Sequence, residues 1–496
     1  MKPLTRREAL VLGSVGMAGV VAGSAGLTWA MSQKDSAPPN IPNTLPAEEN
    51  SAASTDFFEP EILKSDAGFL NVHISAAEQK VEIAGNEVQA LTYNKGIPGP
   101  TLILRPGDLL KVTLENNLRE ATNLHVHGLH VSPQGNSDNV FLTIDSGDSF
   151  DYEYQLPDDH PPGVYWYHPH RHGSVADQVF GGLYGAIIVE DPSPISVSKE
   201  RLIIISDISF NSLGQILAAS QMDKMMGREG NLVLVNGQLK PHLSANPGER
   251  ERWRIINACA SRYLNLQLFG QQLQLLGIDS GRFENPKNVD EILLTPGNRA
   301  DILITATEGK TALITSPIER GISNGMMRGA QPPSTNTESV LLTYEVNGND
   351  ITSLEPVPNQ AKARDLRNST LTAHRELTFS MGMGMGPRGM SFTINGNTFD
   401  PDRIDTIVQA GSVEEWTLTN ISPMDHPIHL HVWPMQIIEA QGRKLDEIVW
   451  QDVVNVPAND SIRVRIPFDN FVGKTVYHCH VLDHEDEGMM GIIEVR

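Results

Sequence analysis

Three stretches of this chain repeat one pattern, and that repetition limits what the chain can fold into more than any other feature. Gly107 follows a proline and leads through Leu109, Leu110, Val112 and Leu114 to Asn116. Gly248 follows Pro247 and leads through Trp253, Ile255 and Ile256 to Asn257, while Gly411 leads through Val413, Trp416 and Leu418 to Asn420. The glycine-to-asparagine spacing is nine residues in all three. An entry strand precedes each copy, around 91–104, 232–237 and 392–396. Self-similarity at such intervals marks a duplicated architecture. Short β-rich runs punctuated by Gly, Pro, Asn and Asp, with hardly any helical periodicity, predict antiparallel sandwiches. The expected fold is all-β, with three Greek-key β-sandwich domains at 57–192, 193–352 and 368–496 and a linker at 353–367. Asp191-Pro192-Ser193-Pro194 and Pro356-Val357-Pro358-Asn359 mark the connections.

The 496 residues are enough for three domains that each bury a core. A net charge of −22 argues against a nucleic-acid partner, which needs clustered Lys and Arg. Two cysteines make no disulfide framework. Residues 1–31 read as an export signal: Lys2, then Thr5-Arg6-Arg7, then an uncharged run from Ala9 to Met31. Paired arginines before a Gly-rich, moderately apolar segment resemble a twin-arginine signal. The same run is long enough to span a bilayer, so an uncleaved anchor is the alternative. Residues 32–56, rich in Ser, Ala, Pro, Asn and Glu, are expected to be a flexible tether, and the folded part a periplasmic or cell-envelope protein.

The copies differ where chemistry belongs. Nine residues after Asn116 comes His125, in His125-Val126-His127-Gly128, and nine after Asn420 comes His429, in His429-Leu430-His431. The central copy has Asn265-Leu266-Gln267 at nearly the same offset, so it lacks ligands and is expected to space the outer two domains. Gly163 precedes His168 by five residues in Tyr167-His168-Pro169-His170, as Gly473 precedes His478 by five in Tyr477-His478-Cys479-His480. Pro169 stands where Cys479 stands, and Leu183 of Gly182-Leu183-Tyr184-Gly185 where Met489 stands in Gly488-Met489-Met490-Gly491.

Residues i and i+2 of a strand share a face, so each of the four His-x-His pairs offers two imidazoles side by side. A pseudo-twofold meeting of the first and third domains brings eight together, enough for three closely spaced ions with positions open to oxygen. Over Val476–Val481 the same alternation sends His478 and His480 to one face and Cys479 to the other, so one short strand serves two metal sites. A thiolate, two further histidines and a downstream thioether suit copper. Two His and one Cys with a weak axial Met form the type 1, or blue, set. His426, at odd offsets from His429 and His431, falls on the Cys479 side and completes that set with His484 and Met489. Structural zinc would take four tetrahedral ligands and gives no reason for one Cys between two His. Cys259 is left as a buried thiol. His130 and His172 lie near the cluster but outside the pairing, and His73, His160, His242 and His374 read as loop or surface residues.

Together, His125-Val126-His127-Gly128, Trp166-Tyr167-His168-Pro169-His170, His426-Pro427-Ile428-His429-Leu430-His431 and the stretch from His478 to Met489 resemble the four copper signatures of the multicopper oxidases, the laccase-like family. The resemblance implies cupredoxin-like domains and four copper ions. It implies that His125 and His429 bind type 2 copper, that His127, His168, His170, His431, His478 and His480 bind the type 3 pair, and that His426, Cys479, His484 and the axial Met489 bind type 1 copper. It further implies one-electron oxidation of an outside donor coupled to four-electron reduction of molecular oxygen to water. Glu485 resembles the family's acidic proton-delivering residue; an exposed charge in the run Asp483 to Glu487 is the other reading. Asp138 is a second proton candidate, with turn formation as its alternative.

Donor choice rests on three methionine groups: Met222, Met225 and Met226; Met326 and Met327; and Met381, Met383 and Met385 with Met390. Thioethers bind cuprous ion. The first group reads as gap-filling in one helical turn. The Gly-interrupted third group reads as an adaptable exposed loop that docks Cu(I), resembling in place but not in length the Met-rich insert of bacterial copper-tolerance oxidases. The expected reductants are Cu(I) and small phenols, and no obligatory protein partner is evident. A laccase restricted to phenols is the nearer alternative. A non-catalytic copper-binding or structural protein of the same fold is the further one, and a two-domain copper nitrite reductase would not need four His-x-His pairs.

Overall fold

The computed structural model describes residues 55–321, 338–352, 354–383 and 390–496. The expected leader, nearly all of the tether, Met326, Met327, Met385 and the side chains of Met383 and Met390 lie outside the described residues. No helix among the described residues is long and apolar enough to cross a membrane.

Strands dominate, and the described residues form six sheets, two per domain. In the third domain one sheet runs in the order Met390–Ile394, Ala373–Met383, Ser412–Asn420, Ser461–Phe468, Met435–Ala440, Arg443–Gln451. The other runs Thr406–Val408, Met490–Val495, Gly473–Cys479, His426–Leu430, Val453–Val456. The central domain repeats both orders strand for strand, and the first domain repeats most of them. Alternating burial along Leu109–Asn117 (half-buried and buried in turn) shows why such strands form sandwiches, with every second apolar side chain on the core face. Three cupredoxin-like Greek-key sandwiches result, each around its own apolar core.

The sheets are mixed rather than purely antiparallel. The strand bearing each Gly-to-Asn repeat lies parallel to the strand that opens its sheet: Leu109–Asn117 to Phe69–Ile83, Arg250–Asn257 to Lys199–Ile208, and Ser412–Asn420 to Ala373–Met383. Between the two, the chain crosses to the opposite sheet, so it re-enters from the same end.

The repeat itself has a local cause. Gly107, Gly248 and Gly411 take φ of +86°, +83° and +75°, a left-handed turn that a side chain would strain. The asparagine at the far end is buried and makes two hydrogen bonds to the loop beyond it and a third to a carbonyl 28 to 37 residues further along the chain. Asn257 donates to the carbonyls of Arg262 and Leu294 and accepts from the Cys259 N–H. Asn116 and Asn420 do the same in their own domains. That loop is the one leading to the His-x-His strand, so the asparagine anchors the ligands' approach.

Candidate metal centre

Two short strand pairs present His125, His127, His168, His429 and His478, while His170, His431 and His480 lie just past strand ends. His125–His127 pairs antiparallel with Gly163–His168, placing His125 opposite His168. His426–Leu430 pairs with Gly473–Cys479, placing His429 opposite His478. The first and third domains meet ring on ring: His125 stacks on His431 and His127 on His429, each with centroids 3.9 Å apart. Within the eight-imidazole centre, His127, His168 and His480 form one set whose ligand atoms all lie within 4.8 Å. His170, His431 and His478 form a second, and His125 and His429 join His127 in a third. All eight are buried.

The donor atoms fit metal ions. Outward nitrogens are already engaged: His125 Nδ1 with Asp138 at 2.9 Å, His127 Nε2 with Asp452 at 3.1 Å, and His168 Nδ1 and His429 Nδ1 with the Pro169 and Asp452 carbonyls at 2.8 Å. The opposite nitrogens, His125 Nε2, His127 Nδ1, His168 Nε2 and His429 Nε2, are buried without a hydrogen-bond partner, as are His431 Nδ1 and both ring nitrogens of His480. His478 Nε2 lies 3.1 Å from the Nε2 atoms of both His170 and His431. Burial, with the crowding of one imidazole by the next, pushes their pKa values down, to about 4 for His170 and His478. Neutral imidazoles with lone pairs converging in a dry space are what divalent and monovalent copper accept.

The second cluster lies across the same strand. Cys479 Sγ is 3.4 Å from His426 Nδ1 and 3.8 Å from His484 Nδ1. Ser422 Oγ engages His426 Nε2 at 2.8 Å and the Met225 carbonyl takes His484 Nε2–H at 3.1 Å, which leaves both Nδ1 atoms to the sulfur side. Met489 is buried in the same core as Cys479. Burial pushes the bare thiol's pKa up; a bound cation reverses that logic, since a coordinating thiol is deprotonated. His478 and His480 flank Cys479 in sequence, and His478 Nδ1–H also donates to the Cys479 carbonyl at 3.0 Å. The two clusters are thus joined through one strand end, although the strand stops at Cys479 rather than at the expected Val481 and His480 lies just past it.

Both acidic candidates reach the eight-histidine centre. Glu485 is fully buried, 3.0 Å from His478 Nδ1 and 3.5 Å from His170 Nε2, and burial raises its pKa to about 7. It is no exposed member of an acidic run. Asp483 is held by Arg228, and Asp486 accepts from the backbone N–H groups of Gly173, Val175 and Ala176. Asp138 receives the His125 ring and the Val126 N–H, and burial raises its pKa to about 8.

Several expectations need correction. The central domain is more than a spacer. Its Arg299 grips the Asp452 carboxylate at 2.5 and 2.7 Å, its Arg228 holds Asp483, and a Cβ on its Gly297 would lie 2.9 Å from the His480 ring. Asn265 and Gln267, in the histidine positions, both donate to Glu291 instead. Arg299, Asp279 and Asp452 carry no spacing signal and were invisible in the sequence. His160 is a loop residue as expected, but a buried one, its Nε2 accepting the His130 N–H at 3.0 Å. Met222, Met225 and Met226 fill no core: Gln221–Met226 is a helix with no buried residue, capped by Ser220 and Asp223, that touches the His484 ring through Met225. Met381 to Met383 continue a strand paired with Met390–Ile394 rather than an exposed loop, and Met381 packs partly on the third-domain core. In that pairing Met381 faces Phe392, whose ring stacks on His484 at 4.2 Å. A cleft of about 830 Å³ between the first and central domains is lined by none of the site histidines.

Comparison with known proteins agrees with this architecture. Multicopper oxidase family models match residues 75–194, 203–344 and 367–496. The multicopper oxidase mco of Staphylococcus haemolyticus is 31% identical over 464 residues, covering 90% of this chain and 94% of that protein. A multicopper oxidase from Campylobacter jejuni, described as a metallo-oxidase, superimposes with a TM-score of 0.79 at 32% identity, covering 89% of this chain and 95% of that one. The cell division protein FtsP of Proteus mirabilis is 26% identical over 84% of this chain and 86% of that protein. With three matched domains and these relatives over nearly its whole described length, the chain belongs to the multicopper oxidases, oxidoreductases that bind copper and pass electrons from reducing substrates to oxygen.

Proposed function

We propose that this oxidase takes single electrons from cuprous ions and small phenols at the Cys479 cluster and reduces oxygen to water at the eight-histidine centre, in the cell envelope after twin-arginine export. The observation that carries this reading is the retention of Cys479, His426 and His484 beside eight buried histidines with unpartnered nitrogens. It separates the chain from a purely structural relative, which would have no use for a buried thiol between two imidazoles. His426, Cys479, His484 and Met489 would hold type 1 copper, His125 and His429 type 2, and the remaining six histidines a type 3 pair. Bound there, the four ions would supply one-electron transfer on one side of the strand and oxygen reduction on the other. The protein's share is positional: Cys479 gives a covalent route to His478 and His480, and buried side chains exclude water around the thiol. Glu485, with a pKa near 7 and within 3.5 Å of His170 and His478, is placed to hold a proton at the centre. Asp138 orients the His125 ring. A cavity of about 100 Å³ beside His170, bounded by Val140, Phe399 and Val476, offers room for a small molecule.

Cuprous ion is favoured among donors because the methionine hairpin is tied to the electron-entry side: Met381 pairs with Phe392, and Phe392 stacks on His484. Oxygen uptake by the copper-loaded protein with Cu(I) and with a dimethoxyphenol, before and after Met381, Met383 and Met385 are changed to Leu, tests this. Faster Cu(I) oxidation that falls selectively in the triple variant supports a copper-detoxifying role. Dominant phenol oxidation, unchanged in the variant, makes the enzyme a laccase.

A further inference from the structure

Asp452 reaches both outer domains from one position. Its carbonyl accepts the His429 Nδ1–H at 2.8 Å, and its carboxylate Oδ1 accepts the His127 Nε2–H at 3.1 Å. Those two rings, one from each outer domain, are the pair stacked at 3.9 Å and 8°. The carboxylate is itself fixed from the central domain, where Arg299 Nη1 and Nη2 donate to Oδ1 and Oδ2 at 2.5 and 2.7 Å. Arg299 is fully buried and otherwise spent: Nε donates to the Val164 carbonyl at 3.0 Å, Nη1 lies 3.2 Å from Asp279 Oδ1, and the Tyr165 ring lies beneath it. Asp279 also accepts the Arg299 and Asp452 N–H groups, so guanidinium and carboxylate are held to one frame. The residue after His127 is Gly128, and a Cβ there would fall 2.3 Å from Arg299 Nη2. The guanidinium therefore packs against the backbone of the ligand strand itself.

We propose that Arg299 is a positioning residue for the eight-histidine centre, acting through Asp452 to keep the proton of His127 on Nε2 and its Nδ1 lone pair turned toward the other imidazoles. This inference rests on the copper reading above only for what that lone pair binds. A planar two-pronged donor fixes both carboxylate oxygens at once, whereas an ammonium is a single point that leaves the carboxylate free to turn. When Asp452 turns away, His127 loses the bond that distinguishes its two nitrogens, and the proton redistributes between them. The Cys479 cluster is not involved, because its outward ring nitrogens are held by Ser422 and Met225.

The test uses the full-length protein with Arg299→Lys, Arg299→Gln and Asp452→Asn. In copper-loaded samples the type 2 EPR signal and near-UV type 3 absorption should change in all three, with copper at the eight-histidine centre weakened about 10- to 100-fold, while the blue absorption stays as in the wild type. The Arg299→Gln/Asp452→Asn double variant should be no worse than either single one. Wild-type EPR and near-UV signals in both Arg299 variants would overturn the proposal. So would blue and trinuclear signals that fall together with the melting temperature, which is what a merely structural clamp predicts. Spectra of 15N-histidine in the apo-protein decide the point without copper: one His127 tautomer protonated on Nε2 in the wild type and a mixture in Arg299→Gln support it, and identical ring-nitrogen shifts refute it. A wild type lacking type 2 and type 3 signals would sink the copper reading and leave that apo comparison standing.

Discussion

Cys479 shows how much one side chain can decide. Apolar surroundings alone would keep it an inert thiol, and two imidazoles 3.4 and 3.8 Å away equip it to bind a metal ion with them. Cys479→Ser should abolish the blue absorption and oxygen uptake with every donor, while circular dichroism stays that of the wild type; a blue, active variant would refute the assignment. Glu485 faces two ring nitrogens, and burial raises its pKa more than the neighbouring His170 lowers it. Glu485→Gln preserves shape but cannot cycle a proton. Steady-state turnover should drop by about 100-fold, while stopped-flow reduction of the blue site by donor proceeds at the wild-type rate. Glu485 and Asp138 were both legible as candidates, yet the sequence left an exposed charge and a turn as open alternatives. For Glu485 burial removed the exposed-charge reading, and that burial depends on the helix Leu482–Asp486 docking between Arg228 of the central domain and the start of the helix Val175–Phe180.

At the scale of the element, the Gly-to-Asn strand is the unit from which the molecule is built. Its asparagine serves the loop beyond it, so the same nine-residue spacing recurs whether or not a ligand strand follows. Among the described residues the central domain contributes no member to either cluster, which makes Asn257 the cleanest place to measure this. Asn257→Ala strands two buried carbonyls and one N–H and should lower stability by about 3 kcal/mol, read as a shift in denaturant midpoint. A change under a few tenths of that would mean water replaces the side chain. The copper spectra should be unaffected at temperatures where the variant is folded. Strand alternation was legible only in part: it sends His478 and Cys479 to opposite faces, but the strand Gly473–Cys479 stops short of the expected Val481, so His480 is placed by the bend beyond the strand end. Parallel pairing within the sheets was not legible, because periodicity tells which face a residue takes and is silent about the strand beside it.

For the whole molecule, the cost of assembling the centre is electrostatic. Eight imidazoles are driven into a dry junction between domains, and their pKa values fall below the ordinary value near 6.5. A group with a lowered native pKa binds its proton more readily when unfolded. Acid therefore favours unfolding from about pH 6.5 downward, and for His170 and His478 the penalty accumulates until about pH 4. The apo-protein should lose melting temperature steeply over that window, and copper loading should restore most of it above pH 5, because the ions bind the folded state alone. Equal pH slopes for apo- and copper-loaded protein would contradict this. The chain by itself determined the three-fold strand repeat, the His-x-His pairs and the lone cysteine between two histidines, since each is written in local spacing and in the alternation of a strand. Only the tertiary structure decided that His125 lies on His431 and His127 on His429, that Asp452 serves both stacked rings, and that Arg299 reaches in from the central domain. All of them but the Asp452–His429 bond join residues more than a hundred positions apart, and no periodicity along one strand specifies which surface of another domain it will meet.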